Sequence, residues 1–256
     1  MLNSVYSLNK RSALAVGSAI TASVLLLAAA IRTIFASYWA LLPSAHPFNV
    51  LPTLGAIAIV ASFLGWYQYR AAAKVCFKPN RLPPSWWGFC IISGVLLAIV
   101  MFYCNGFILA KLESAAGLNA QRAYTHYWLA AIVVSVLLAP LLEEFLYRNL
   151  LIQYYFSNLP GNWAIGLSSL MFALIHGTVQ SGLNAFIIGL ILAWVMKKTR
   201  SLLSVTLIHG SYNASVILLL NRYEEITWPI LALSFAITAI ALVVLFRFAS
   251  VAKILR

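Results

Sequence analysis

The chain has 256 residues, of which 63% are hydrophobic and 9% charged, with a mean hydropathy of +0.92 and a formal net charge of +12. A soluble domain carries about 25% charged residues, so a sizeable soluble domain is excluded and a single integral membrane domain over residues 1–256 is expected. Lys and Arg lie in short clusters between apolar runs, which is the pattern of membrane topology signals; membrane lipid is the expected anionic partner, and no nucleic acid is expected.

Apolar runs of about 20 residues are long enough to cross a bilayer. Eight occur, at 13–31, 50–69, 86–110, 128–157, 162–176, 180–196, 202–220 and 228–247, and they predict an all-α, polytopic membrane protein. The first follows Lys10 and Arg11; at about 19 residues it exceeds the 7–15 of a signal-peptide core, so a retained helix is expected. The basic stretch 70–85 ends in Pro83–Pro84 before Trp86 and Trp87, which suit an interface anchor. The fifth and sixth runs are short and are expected to be tight spans joined by a turn around Gly177–Gly182. Eight spans put both termini on one side. That side then carries twelve of the seventeen Lys and Arg, the other carries four, and Arg148 lies within a span. By the positive-inside rule both termini are expected in the cytoplasm. Cys76, Cys90 and Cys104 are odd in number and lack metal-type spacing, so they read as packing residues.

The fourth run contains LLAPLLEEFLYRNLL, Leu137 to Leu151, which places two of the chain's five acidic residues side by side in an apolar segment. An ionisable group at mid-bilayer costs about 2.5–3.5 kcal/mol on insertion scales and is a functional hypothesis by default. Glu144 and Arg148 are i,i+4 in the favourable order, so a pair is expected. Glu143 lies about 100° away on the helix wheel and faces elsewhere. Burial opposes its charge and Arg148 favours it; a carboxylate balanced in this way can serve as a general base. Pro140 has no N–H to give the Val136 carbonyl, so a kink is expected there.

Other polar residues fall at similar depths. At 1.5 Å per residue, Glu143 and His176 come out roughly 21 Å from the cytoplasmic end, His209 roughly 12 Å and Asn213 roughly 18 Å. His209 and Asn213 are i,i+4 and share a face. Singly, each histidine reads best as a satisfied core residue; together with Glu143, Glu144, Arg148 and Asn213 they read as one polar cluster. His46 and His126 read as loop and interfacial residues, and Glu224–Glu225 as a solvated charge pair.

The three motifs EExxxR at Glu143–Arg148, FxxxH at Phe172–His176 and HxxxN at His209–Asn213 resemble, in order and spacing, the CPBP (Abi) family. That family contains CAAX prenyl endopeptidases of the Ras-converting type and bacteriocin-processing or immunity proteins. The resemblance covers about residues 128–220, the expected catalytic core. It implies intramembrane proteolysis of a membrane-associated or C-terminally processed peptide or protein. Glu143 would activate water, His176 would help hold it, His209 and Asn213 would stabilise the oxyanion, and Glu144 with Arg148 would support the site. No metal cofactor is expected; the alternative is zinc on Glu143, His176 and His209, although the HExxH signature is absent. Two other classes compete: a non-catalytic scaffold or immunity protein, and a proton-coupled transporter, which should show repeats or paired broken helices that are not evident. A bacterial cell membrane is expected rather than a eukaryotic ER membrane.

Overall fold

The computed structural model describes residues 10–42, 46–70, 82–104 and 126–220, with the isolated positions 236 and 240. The predicted eighth span, apart from those two positions, lies outside the described residues, as do Cys76 and the Glu224–Glu225 pair. The described chain is helical: α1 (Lys10–Ile34), α2 (Ala36–Trp39), α3 (Leu51–Arg70), α4 (Ser85–Cys104), α5 (Trp128–Asn158), α6 (Gly161–Leu174), α7 (Val179–Thr199) and α8 (Leu202–Leu220), with no strand among the described residues. Six of these helices are long and apolar enough to cross a membrane, and α6 is a shorter apolar helix. The protein is an all-α, multi-pass membrane protein.

These segments are helical because a chain in hydrocarbon must satisfy its backbone internally. Their hydroxyls follow the same rule. Ser23 and Thr33 donate to the carbonyls of Ala19 and Ala29, four residues back, at 2.8 and 2.9 Å. Large apolar side chains remain exposed along the outer faces, among them Leu26, Ile59, Phe63, Leu129, Leu137 and Leu141. Such surface is a liability in water and is what lipid-facing helices present.

The chain forms two compact units. The first comprises residues 1–43, 49–79 and 141–202; the second comprises 44–48, 80–140 and 203–256. In the first unit α1 packs on α3, and α6 packs on α7 and on α1. Arg32 at the end of α1 donates to the Asn49 carbonyl at 2.6 Å, tying that end to the turn before α3. In the second unit the Trp86 indole N–H donates to Ser204 Oγ at 2.9 Å, linking α4 to α8. Trp86 is therefore buried at 8% exposure and is not the expected interface anchor: Ser204 gives its N–H an inward partner, so the ring need not seek headgroup water. Cys90, one turn along α4, is buried and free, as a packing residue would be. His46 and His126 both pack against Tyr127, tilted and edge-on respectively, at centroid distances of 4.3 and 4.6 Å.

The turn between α6 and α7 is tighter than Gly177–Gly182. Helix α6 stops at Leu174, and α7 already begins at Val179 and runs 21 residues, long enough to span. Gly177 makes the reversal with φ +75°, a backbone conformation that costs glycine little. Thr178 then caps α7 reciprocally with Ser181. The sixth span starts one residue earlier than expected and runs three residues further, to Thr199.

Candidate active site

Helix α5 is interrupted twice. It passes from α (Trp128–Ala131) to π (Ile132–Leu138), back to α (Ala139–Glu144), to π again (Phe145–Leu151), and ends as α (Ile152–Asn158). In π segments each N–H bonds five residues back, and such segments concentrate at functional sites. Here they flank the short α stretch that ends in Glu143–Glu144. The change of register corrects the expectation about Pro140. The Ala139 N–H already bonds the Val134 carbonyl, so the next acceptor in line for residue 140 is the Ser135 carbonyl rather than that of Val136.

The Glu144–Arg148 pair forms. Arg148 Nε lies 3.3 Å from Glu144 Oε2, and both side chains are 0% exposed. The guanidinium also lies over the Phe172 ring, 4.1 Å from its centroid, where the negative face of the ring attracts it. The Glu143 carboxylate, in a residue 8% exposed, also acts on Arg148 electrostatically. Among the described residues, Arg148 Nη1 and Nη2 have no hydrogen-bond acceptor, so the two glutamates and the ring answer the buried charge. Tyr147, i+4 from Glu143, packs edge-on to Phe172 with centroids 5.5 Å apart.

Space for the guanidinium comes from Gly189 on α7. A Cβ there would lie 3.1 Å from Arg148 Nη2, 3.1 Å from Ser169 Cβ and 3.3 Å from Phe172 Cδ1. Three tight contacts cannot all relax at once. Gly189→Val is therefore expected to destabilise the protein by about 1–3 kcal/mol through overpacking, read as a lower Tm of the detergent-solubilised protein. An unchanged Tm would mean that α7 yields and does not confine Arg148.

His176 stands just beyond α6, in the turn, and not within a helix as its run of apolar neighbours predicts. It remains tied to the helix end. Its Nδ1 lies 2.9 Å from the Phe172 carbonyl, and its ring packs on the Phe172 ring at 4.7 Å. A carbonyl only accepts, so Nδ1 carries the proton and Nε2 is the acceptor nitrogen of the neutral ring. The His176 carbonyl is held in turn by Ser181 Oγ at 2.6 Å, and Ser181 joins Thr178 at 2.6 Å. Phe172 thus touches both Arg148 and His176, a link the FxxxH spacing carries but does not reveal. Thr178→Ala should remove the cap at a cost of about 1 kcal/mol; faster hydrogen exchange confined to residues 176–182 is the expected signature, and uniform destabilisation would contradict it.

Glu143, Glu144, Arg148 and His176 belong to the first unit, and His209 and Asn213 to the second. His209 is buried in α8. One turn later, Asn213 Nδ2 donates to the Ser135 carbonyl of α5 at 2.7 Å. This occupies one of its two amide N–H bonds and fixes the plane of the amide. Nothing in the spacing of HxxxN identifies Ser135 as its partner; Pro140 is the signal that could have found it. Among the described residues, no three His, Cys, Asp or Glu side chains converge to hold a metal ion.

Residues 125–215 match the family model described as Type II CAAX prenyl endopeptidase Rce1-like. The matched segment holds all three motifs, whereas α1, α3 and α4 lie before it. No curated protein and no solved structure matches the chain.

Proposed function

We propose, on the match of residues 125–215 to the Rce1-like family model, that this chain is an intramembrane endopeptidase of the CAAX type that hydrolyses a peptide bond with water activated by Glu143. The observation that carries the reading is the burial of Glu143, at 8% exposure, beside the buried Glu144–Arg148 ion pair. Glu144 and Arg148 account for each other structurally. Glu143 is a second buried carboxyl on the same turn, and it too acts on Arg148 electrostatically.

In the proposed reaction Glu143 takes a proton from water as the water oxygen adds to the scissile carbonyl. His176 accepts a hydrogen bond from that water at Nε2, the tautomer that its bond to the Phe172 carbonyl supports. On the motif resemblance alone, the oxyanion donors are assigned to His209 and Asn213; donors held before the reaction are worth several kcal/mol in a site shielded from water. The C–N bond then breaks, and the proton on Glu143 passes to the leaving amine. Side-chain donors suit a site within spanning helices, where backbone N–H groups are committed to the ladder. We propose the reaction without a metal and derive no step through zinc. Both termini are assigned to the cytoplasm on the distribution of basic residues.

The test compares cells carrying the wild type with cells carrying Glu143→Gln at equal membrane abundance, mapping new peptide termini in the membrane and secreted proteome. Termini that appear only with the wild type identify a protease and its substrate. Their position tells a prenylated C-terminal tail from an internal bond. Identical termini in both would remove Glu143 from any chemistry and favour a scaffold.

A further inference from the structure

Proline in a spanning helix leaves a carbonyl without its backbone donor, and a neighbouring helix must answer it. Which carbonyl is orphaned depends on the local register. In α5 the Ala139 N–H bonds the Val134 carbonyl, five residues back. The next bond of that ladder would run from residue 140 to the Ser135 carbonyl, and Pro140 has no N–H to make it. Asn213 Nδ2 lies 2.7 Å from that same oxygen. Close helix approach makes the reach possible: a Cβ on Gly210, three residues before Asn213, would lie 2.9 Å from the neighbouring Val136 carbonyl.

We propose that Pro140 is a positioning residue of the site, withholding an N–H from the Ser135 carbonyl so that this oxygen holds the Asn213 amide. The assignment of Asn213 as an oxyanion donor rests on the protease reading; the holding of its amide by Ser135 does not. The second π segment of the same helix is an internal comparison. It has no proline, so the Tyr147 carbonyl keeps its ladder bond from the Ile152 N–H, and the side chain that also reaches it, Ser168 Oγ, stands off at 3.1 Å. The carbonyl without a ladder partner holds its side chain 0.4 Å closer (3.1 against 2.7 Å). A residue with an N–H at position 140 would claim the Ser135 oxygen in a π ladder. If the segment instead relaxed to α, residue 140 would bond Val136 and the Ala139 N–H would claim Ser135. Either register loosens Asn213.

The experiment uses full-length protein in detergent micelles with ¹⁵N-labelled asparagine, the Asn213 side-chain signal being identified by its loss in Asn213→Ala. Two forms are compared with the wild type: Pro140→Ala, and the same substitution with the residue-140 amide replaced by an ester through incorporation of the α-hydroxy acid. The ester lacks the N–H, as proline does, but also lacks the ring. In Pro140→Ala the Asn213 amide proton is expected to move upfield and to exchange with solvent about tenfold faster; the ester form is expected to restore both. An unchanged Asn213 signal in Pro140→Ala overturns the proposal. So does a signal shifted equally in the amide and ester forms, which would assign the effect to the proline ring and kink. Terminus mapping on the same variants separates the two ideas. If the wild type yields no cleavage while the amide signal responds as expected, the protease reading fails and the role of Pro140 stands.

Discussion

Glu144→Ala is expected to be the most destabilising single change in the chain, at about 3–5 kcal/mol. Removing one member of a buried ion pair leaves the other charge without its partner, and Arg148 here is 0% exposed, with no acceptor for Nη1 or Nη2 among the described residues. Glu143 and the Phe172 ring would then face that charge alone. Replacing both members with apolar residues of similar volume, Glu144→Leu with Arg148→Met, is expected to recover most of the loss, because the desolvation of both charges disappears with them. Thermal unfolding of the solubilised single and double variants measures the difference. If Glu144→Ala melted with the wild type, the pair would not be a structural element. The division of labour between the two glutamates would then be wrong.

Glu143→Gln should behave in the opposite way. Glutamine keeps the shape and an acceptor oxygen, and Arg148 retains Glu144 at 3.3 Å, so stability is expected to stay within about 1 kcal/mol of the wild type. Hydrolysis is expected to fall by about 10²–10⁴-fold, the contribution of a positioned general base. The measurement is the rate of substrate cleavage by purified protein, once terminus mapping has supplied the peptide, set beside the melting curve of the same preparation. A parallel loss of stability would make Glu143 a packing residue whose removal disturbs the site indirectly. A rate unaffected by the substitution would end the glutamate mechanism.

The two variants together describe why one helix carries adjacent carboxylates. Their side chains diverge around the helix, so in the proposed mechanism a single turn supplies a structural carboxylate and a chemical one. Phe172 connects the parts: its ring receives the guanidinium at 4.1 Å and its carbonyl receives His176 Nδ1 at 2.9 Å. A change in α6 can therefore reach both the ion pair and the histidine tautomer.

Much of this was legible in the sequence. Composition and run length determine an all-α membrane protein, because only helices and closed barrels satisfy the backbone in lipid and the runs are of helical length. The Glu144–Arg148 pair follows from i,i+4 geometry, which tertiary packing does not need to create. The three motifs and their order mark the segment that the family model matches. Other features depend on partners distant in the chain and had no local signature. Trp86 reads as an interface residue until Ser204, 118 residues away, gives its indole a buried acceptor. His176 reads as helical until the turn made by Gly177 and the Thr178–Ser181 cap places it beyond the helix end. Pro140 reads as a kink that frees the Val136 carbonyl, because an α register is the default assumption; the π register moves the orphan to Ser135 and gives Asn213 its partner. Periodicity and charge determine which residues are expensive to bury. Tertiary structure decides which donor and acceptor each of them finds, because that choice is made between helices and not along one.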